Sequence, residues 1–371
     1  MNTVATSISS DKLLALIKFF SRDVAALNQT LAEVEREISP DAVPQANDEH
    51  HTKVLQAFED SQRTCRQFEI DHGDDANFLR AAQRGFLEET NALFGKSWIA
   101  DRARKKPAGF VGDYDMLIKL YDQKTPALGL GGYIDLCIQD LPLARAVRTR
   151  LAAARKFLLE EIDARRGPVR VLDVASGPCR EYHDWPALPG REIEVVAMDT
   201  DPQALDHVQT NVCPNLPEGT TLKPVRYNAL RTTVADATIR QFGKFDVIYS
   251  VGLCDYLTDD QLIRMFGAWK ETLNEGGVMY VAFKDSDRYD HTPYQWHLDW
   301  YFYQRTQQEA LDLFAKAGLN VEEMEMTRDA TGIITNFIYR RPAGARIRID
   351  QAETAAPNRV DAPATTRTSA E

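Results

Sequence analysis

The segment Val169–Tyr182, VRVLDVASGPCREY, constrains the fold of this chain more than any other stretch. Its first six residues are mostly apolar β-formers, which predicts a buried strand. The small residues after Asp173 allow the backbone to approach a ligand closely. The next apolar run ends in Asp199, where a carboxylate can accept hydrogen bonds from ribose hydroxyls. These two strand ends indicate a nucleoside-type ligand at one edge of a parallel sheet.

The loop after the first strand lacks a complete glycine-rich phosphate cradle. Gly177 is present, whereas Ala175 and Cys179 stand where a dinucleotide-binding fingerprint has glycines. Because such a loop does not have to enclose a pyrophosphate, it suits a nucleoside such as S-adenosylmethionine better than NAD. The alternative is an ordinary turn between a strand and a helix in another kind of α/β protein.

Strands and helices alternate from about Phe157 onward, which predicts a doubly wound, Rossmann-like α/β sheet. One helix opens near Thr258 and stops at Asn274–Gly277, and another covers Thr306–Ala317. Apolar runs bounded by turn residues predict seven strands. They are Val169–Val174, the run that ends in Asp199, Leu222–Ala229, Phe245–Ser250, Val278–Phe283, Val321–Thr327 and Ile333–Arg340.

This order of elements resembles the class I S-adenosylmethionine-dependent methyltransferases over about Arg170 to Arg340. The motifs that carry the resemblance are VLDVASGPCRE, VVAMDTDPQAL, FDVIYSVGLCDYL and LNEGGVMYVAF. The resemblance implies S-adenosylmethionine as the cofactor. The cofactor contacts that it implies are Asp173, Ala175, Ser176 and Gly177 at the methionine part, Asp199 and Thr200 at the ribose, Asn228 and Ala229 at the adenine, and Ser250 and Val251 beside the methyl group.

Length and composition limit the organisation of the chain. Its 371 residues, 44% of them hydrophobic, suffice for one large domain and a smaller one. We predict a helical domain over residues 1–155, a methyltransferase domain over 156–341 and a disordered tail over 342–371. The net charge of −11 argues against nucleic acid as a partner, because few phosphates could be neutralised.

The cysteines and the absence of targeting signals predict a cytoplasmic protein. The five cysteines are odd in number and share no CxxC spacing, which indicates reduced thiols and no zinc site. No signal peptide is visible, and the longest apolar runs are too short to span a bilayer. Association with a membrane surface stays open.

An apolar seam runs through the beginning of the helical half. Its members alternate at spacings of four and three residues, and a seam of this kind is typical of a helix–helix contact. The members are Leu13, Ile17, Phe20, Val24, Leu27, Leu31, Val34 and Ile38. A homodimer contact and packing against the rest of the chain explain the seam equally well. A second helical stretch is predicted from about Lys53 to Phe94.

Two segments are too rich in aromatic and charged residues for ordinary linkers. They are Lys105–Tyr121 and Lys284–Arg305, and the second follows the fifth strand, at the sheet edge where open α/β folds bind substrates. With Pro142–Arg150, they resemble a bacterial family for biosynthesis of 3-hydroxypalmitic acid methyl ester, a quorum-sensing signal. The matching motifs are PAGFVGDY, PLARAVRTR and WHLDWYFYQR, with Phe110 where that family has Tyr. This resemblance implies a hydroxy fatty acid as the substrate.

Methyl transfer from a sulfonium requires alignment and exclusion of water more than acid–base catalysis. A carboxylate acceptor, with a pKa of about 4.3, is ionised at neutral pH and needs no general base. Arg305 or Arg288 can orient such a carboxylate, although an ordinary ion pair is an equal alternative for each. The predicted catalytic residues are Tyr114, Tyr303 and Arg305, and the predicted substrate contacts are Asp113, Tyr256, Trp296 and Trp300. The alternative for the aromatic residues is a place in the hydrophobic core.

No metal site is predicted, because His291 and His297 have no third ligand at a suitable spacing.

The sequence thus predicts a methyltransferase that acts on a small or lipidic molecule, with carboxyl O-methylation of a 3-hydroxy fatty acid as the leading reaction. N- or O-methylation of a polar secondary metabolite is the alternative within enzymes. A cofactor-binding interaction protein without methyl transfer is the alternative outside enzymes. The aromatic segment after the fifth strand argues against it, because a pure binding module needs no second closed pocket.

Overall fold

Seven strands form one mixed sheet in the computed structural model, which describes residues 9–343. The strands are β1 Val169–Val174, β2 Ile193–Asp199, β3 Thr220–Arg226, β4 Phe245–Ser250, β5 Leu273–Lys284, β6 Glu325–Arg328 and β7 Ile334–Arg340. Their order across the sheet is β3-β2-β1-β4-β5-β7-β6. Strands β1 to β5 are parallel, whereas β7 lies antiparallel between β5 and β6. The predicted tail lies, from residue 344 on, outside the described residues.

The order of the strands reverses direction at β1. This strand pairs with β2 on one side and with β4 on the other, so that Asp173 has Ala197 and Tyr249 as its neighbours. Open α/β sheets bind ligands outside the carboxyl ends of the strands at such a switch point. The loops after β1, β2 and β4 therefore define the first place to look for a site.

Thirteen α-helices accompany the sheet in the described part of the chain. Eight of them precede β1, which agrees with the helical first half predicted from the sequence. They are α1 Ser10–Lys18, α2 Ala25–Glu37, α3 Glu49–His72, α4 Ala76–Phe94, α5 Trp98–Lys105, α6 Tyr114–Tyr121, α7 Gly129–Gln139, α8 Pro142–Ala164, α9 Pro202–His207, α10 Ala235–Phe242, α11 Asp259–Thr272, α12 Thr292–Leu298 and α13 Gln307–Lys316. Helix α8 continues across position 155, and the division into domains stays a prediction.

Alternation along the strands assigns the two faces of the sheet. Val171 joins the core that contains α8 and the amino-terminal helices, whereas Leu172 joins the core that contains α11 and α13. Both faces are covered, as expected for strands that are apolar along most of their length. One continuous core thus links the helical half of the chain to one face of the sheet.

The structure shifts several predicted boundaries. Strand β3 ends at Arg226 because Asn228 caps a short 3₁₀ helix, its side chain accepting from Leu230 N at 2.9 Å. The sixth strand is only Glu325–Arg328, preceded by a 3₁₀ turn. The second helical stretch is two helices, since Asp75 accepts from Phe78 N at 3.0 Å and starts α4 after a break that begins at Gly73.

The apolar seam near the amino terminus packs mainly within the chain. A π-helical segment, Phe19–Val24, connects α1 to α2, and the seam residues from Val24 to Val34 are buried. Leu13 and Ile17 at its beginning are half exposed. Intramolecular packing therefore accounts for most of the seam, and the dimer contact stays a prediction.

Trp296 belongs to the core of the helical half and not to a substrate site, which corrects its predicted role. Its side chain is fully buried, and its ring lies 5.4 Å from Phe19 and 5.6 Å from Phe86 between ring centroids. The indole nitrogen donates to Glu69 at 2.7 Å. Helix α12, although it follows β5 in the sequence, is thus fixed to helices of the first half.

We predict that Trp296→Ala lowers the free energy of unfolding by about 3–5 kcal/mol, because it leaves a large cavity in an aromatic core. Denaturant unfolding followed by circular dichroism measures this change. Trp300→Ala is the matched control, since Trp300 is only partly buried, and a smaller loss is expected there. Equal losses for the two variants would contradict this placement of Trp296.

Candidate active site

A cavity of about 320 Å³ opens at the carboxyl ends of β1, β2 and β4 and continues beneath the helical half of the chain. Its lining comes from three sources. The loops of the sheet supply small and polar residues, helices α5 to α8 supply mostly apolar ones, and the segment from α12 to Phe302 supplies Leu298 and aromatic side chains. The cavity therefore lies at the switch point of the sheet and is covered by elements from both before and after β5 in sequence.

Four of the residues predicted to contact the cofactor line this cavity: Ala175, Gly177, Asp199 and Thr200. Others on the same side were not predicted, namely Asp201, Ala204, Gly252 and Leu253. Asp201 ends the loop after β2, Ala204 lies in α9 just beyond it, and Gly252 and Leu253 lie in the loop after β4. The sequence prediction named only residues close to the strand ends and therefore missed these four.

The loop after β1 has an unusual backbone. Ala175, Gly177 and Cys179 have φ angles of +58°, +52° and +48°, a region that costs a non-glycine residue about 1–2 kcal/mol. Ala175 and Cys179 stand where glycines are commoner, and both adopt the positive φ angle that glycine tolerates best. Cys179 is completely buried, and its thiol lies 3.8 Å from the Asp173 carboxylate, so packing around the loop holds it in this shape.

Asp199 connects the loops after β1 and β2. One carboxylate oxygen accepts from Gly177 N at 2.8 Å and the other accepts from Asp201 N at 2.9 Å. Burial raises the pKa of this carboxyl, and these backbone donors oppose the shift. The side chain faces the cavity, where its oxygens can also accept from hydroxyl groups of a ligand.

The remaining predicted cofactor residues do not line the cavity. Ser250 Oγ donates to the carbonyl of Val174 at 2.8 Å and so ties β4 to β1 from behind. Ser176 N donates to the carbonyl of Met198 at 3.0 Å, and Asn228 is used as a helix cap. Asp173, Ser176, Asn228, Ala229, Ser250 and Val251 are all outside the lining, and their contact with a cofactor stays a prediction.

Asp173 lies in a buried cluster below the loop. Burial raises the pKa of its carboxyl well above the usual range, and the neighbouring Glu181 carboxyl adds to the shift. Burial also raises the pKa of Glu181, while Arg150 and Arg155 oppose that shift. Two acidic groups thus share a dry site, which favours binding of a proton there.

The inner part of the cavity is a chamber of apolar side chains. One face of α8 supplies Leu143, Ala144 and Val147 at helical spacing, and α6 supplies Leu117 and Leu120 in the same way. Ile99, Ile138 and Leu298 also line this part and are buried, each at most 3% exposed. At the outer end, Phe110 is 40% exposed. We call this space the apolar chamber.

Three predicted catalytic or substrate residues lie between the loops of the sheet and the apolar chamber: Tyr114, Tyr256 and Trp300. The Trp300 indole nitrogen donates to the Tyr256 hydroxyl at 2.8 Å. Gly112 packs against this pair, since a methyl group at its Cα would lie 2.8 Å from the Trp300 ring. The structure therefore brings the two aromatic segments of the sequence together at the cavity.

Three other residues predicted as catalytic or as substrate contacts interact with protein groups outside the cavity lining, which corrects their predicted roles. Arg305 is buried, and it donates to Asp259 at 2.7 Å and to the Leu257 carbonyl at 2.7 Å. Tyr303 is 49% exposed and stacks on the Arg305 guanidinium outside the cavity. Asp113 caps α6 and accepts from Arg102 Nε at 2.8 Å, so its carboxylate is already paired.

Two buried cations, which were not among the predicted site residues, face the cavity. Lys284 at the end of β5 pairs with Asp255, and its ammonium lies 4.1 Å from the centre of the Phe302 ring. Arg150 lies on the face of α8 that lines the apolar chamber. The motif PLARAVRTR was the sequence signal for Arg150, but only the structure shows that this arginine points into the cavity.

His291 and His297 each have a partner within the protein. His297 is fully buried among phenylalanines and lies 2.9 Å from Ser61 Oγ, and burial lowers its pKa to about 3. His291 lies 3.4 Å from Glu69. Over the described range no cluster of three or more His, Cys, Asp or Glu side chains is arranged to hold a metal ion. No helix in that range is both long and apolar enough to cross a membrane.

Comparison with solved structures identifies the fold. A possible exported protein from Bordetella parapertussis is similar at 15% identity and a TM-score of 0.51, over 91% of this chain and 100% of that one. The carbon methyltransferase CurJ matches 91% of this chain and 94% of its own at 10% identity and a TM-score of 0.47. Magnesium protoporphyrin IX methyltransferase from Synechocystis PCC 6803, solved with bound S-adenosylmethionine, matches 54% of this chain and 83% of its own at 12% identity and a TM-score of 0.38.

No protein-family model matches the chain, and no curated protein matches it in sequence. With the strand order described above, the structural likeness confirms the predicted fold class. That class is a doubly wound, Rossmann-like α/β sheet of seven strands with a helical amino-terminal region.

We predict that Asp173→Asn stabilises the protein at pH 8 and that this advantage shrinks toward pH 5. A carboxyl whose folded pKa is raised contributes stability below its unfolded pKa and loses it as the pH rises through the folded value. The Asn side chain of the variant has the same shape as the carboxyl but does not ionise, so the variant avoids this loss of stability at high pH. Thermal unfolding across pH measures the effect.

The exposed Glu218 provides the control, because Glu218→Gln should change the melting temperature little at either pH. An Asp173→Asn variant that is less stable than the natural protein at pH 8 would show that the carboxylate itself supports the fold.

Proposed function

We propose that this protein transfers a methyl group from S-adenosylmethionine to the carboxylate of a hydroxy fatty acid and so forms a methyl ester. The observation that carries the proposal is one cavity that joins the loops after β1, β2 and β4 to the apolar chamber. A cofactor and an apolar acceptor can therefore meet in a single enclosed space.

The loop side of the cavity fits the cofactor. Asp199 provides the acceptor oxygens that a ribose diol requires, and Gly177 leaves its side of the cavity open, with Leu117 3.7 Å from where a Cβ would lie. When bound, S-adenosylmethionine supplies a methyl group that is already activated by its sulfonium. The work left to the chain is to align the acceptor and to exclude water.

The inner side of the cavity fits an acyl chain. The apolar chamber offers aliphatic side chains from α5, α6, α7 and α8, and such a surface favours burial of methylene groups by about 0.8 kcal/mol each. Arg150 places an unpaired positive charge in the same cavity, which favours an anionic acceptor group. Because a carboxylate is already ionised at neutral pH, no general base is required.

The resemblance of the motifs PAGFVGDY and PLARAVRTR to the quorum-signal family supports a 3-hydroxy acid as the acceptor. Both segments contribute to the cavity, through Phe110 and Tyr114 in the first case and Leu143 and Arg150 in the second. A polar metabolite as the acceptor is less well matched, because the chamber would leave its polar groups without partners. An interaction protein without transfer has no use for an enclosed chamber beside the cofactor edge.

The test is incubation of the purified protein with methyl-labelled S-adenosylmethionine and 3-hydroxy acids of 8 to 18 carbons. We expect labelled, organic-extractable methyl esters whose yield depends on chain length. Matching alcohols, amines and phenols serve as competing acceptors. Preference for any of these over the acids would reject carboxyl methylation, while methyl transfer itself would stand.

We predict that Asp199→Ala weakens binding of S-adenosylhomocysteine about tenfold or more, because charged hydrogen bonds of roughly 1.5–3 kcal/mol are lost. Isothermal titration calorimetry measures this change. Asp206→Ala on the neighbouring helix is the control, since Asp206 is exposed and outside the cavity lining. Unchanged affinity in Asp199→Ala would remove Asp199 from the cofactor site.

We predict that Ile138→Ala raises the longest acyl chain that is methylated, whereas Ile138→Phe shortens it. Ile138 is a buried residue of the apolar chamber, so its volume should limit the space for an acyl chain. The ratio of kcat/KM for long and short acids measures the effect independently of the active fraction. Ile134→Ala on the same helix is the control, because Ile134 is buried but does not line the cavity, and its ratio should equal that of the natural protein.

A further inference from the structure

Arg150 is a buried cation without a matching charge. Its side chain is only 4% exposed, and its Nε atom has no hydrogen-bond partner. Among residues 9–343, no carboxylate forms an ion pair with its guanidinium. By contrast, Arg305 is paired with Asp259 and Arg102 is paired with Asp113. A buried charge in this condition is costly unless a ligand completes its surroundings.

The surroundings of Arg150 locate where such a ligand would bind. A methyl group built on Gly252 would lie 3.5 Å from Arg150 Nη2 and 3.9 Å from Nη1, which places the guanidinium beside the loop after β4. Tyr121 is a hydrogen-bond partner of Arg150: burial raises the pKa of Tyr121 to about 12, and Arg150 opposes that shift. The guanidinium is therefore held between the loops of the sheet and the apolar chamber.

The remaining charges nearby do not neutralise Arg150. Lys284 carries the same sign and is already paired with Asp255. Glu181 lies in the buried cluster with Asp173, where burial favours its protonated form, although Arg150 opposes this. A bound anion would give the Arg150 guanidinium an ionic partner, and a carboxylate matches the two parallel donors of a guanidinium.

We infer that Arg150 binds a ligand carboxylate in the cavity. The inference rests on the proposed function, which supplies two sources of this group. One is the amino-acid end of S-adenosylmethionine, and the other is the carboxylate of the acceptor. Both would lie near the carboxyl end of β4, where Arg150 is held.

The test compares ligands with and without a carboxylate in Arg150→Met and Arg150→Lys. For the cofactor, S-adenosylhomocysteine is compared with 5′-methylthioadenosine, which keeps the nucleoside and the sulfur but has no carboxylate. For the acceptor, a 3-hydroxy acid is compared with the diol of the same chain length. Calorimetry measures all four affinities. Arg145→Met is the control, because Arg145 is exposed on the same helix.

We expect Arg150→Met to weaken one carboxylate ligand about 10- to 100-fold and to leave its carboxylate-free counterpart within about twofold. A loss for S-adenosylhomocysteine assigns Arg150 to the cofactor, and a loss for the hydroxy acid assigns it to the acceptor. Arg150→Lys should restore part of the loss, since it keeps the charge but not the paired donors. Because this variant keeps the buried charge, it also provides the comparison if Arg150→Met does not fold.

Equal weakening of ligands with and without a carboxylate would overturn the inference and leave Arg150 a structural role. Unchanged affinity for all four ligands would overturn it as well. Failure of the natural protein to bind S-adenosylhomocysteine and 5′-methylthioadenosine is a different result. It would contradict the proposed function. Only the comparison of the hydroxy acid with the diol would then test the role of Arg150.

Discussion

The shared hydrophobic core between the helical half and one face of the sheet is the constraint on which the site depends. Helix α8 packs on the sheet through Leu158 and Ile162 while an earlier part of the same helix lines the cavity. Helix α12 returns from β5 and inserts Trp296 among the amino-terminal helices. The two halves of the chain therefore fix each other, and the cavity at the sheet edge is covered by helices.

This arrangement divides the tasks of the site between the two halves. The sheet provides backbone turns and Asp199, features that suit a nucleoside and are set by the switch point of the strand order. The helices provide apolar surface and Arg150, features that suit the acceptor or the charged end of the cofactor. The left-handed conformations of Ala175 and Cys179 persist because the packing around them leaves the loop no alternative.

The sequence predicted the parts of this structure that depend on local patterns. The order of strands and helices, the loop after β1 and Asp199 at the end of β2 all follow from apolar runs and turn residues. The roles of long side chains did not follow, because they depend on tertiary partners. Arg305 is adjacent to an aromatic segment in sequence but reaches Asp259, whereas Arg150 is far from the sheet loops in sequence and faces the cavity. Trp296 and Trp300 are four residues apart by number, yet only Trp300 lines the cavity.

The most direct test of the account is a crystal structure of the protein with S-adenosylhomocysteine and a 3-hydroxy acid of 16 carbons. The account predicts that the ribose hydroxyls bind Asp199, that the acyl chain extends among Ile99, Ile138 and Leu298, and that a carboxylate oxygen lies within hydrogen-bond distance of Arg150. An acyl chain bound outside the apolar chamber, or a nucleoside bound away from the loops after β1 and β2, would contradict it.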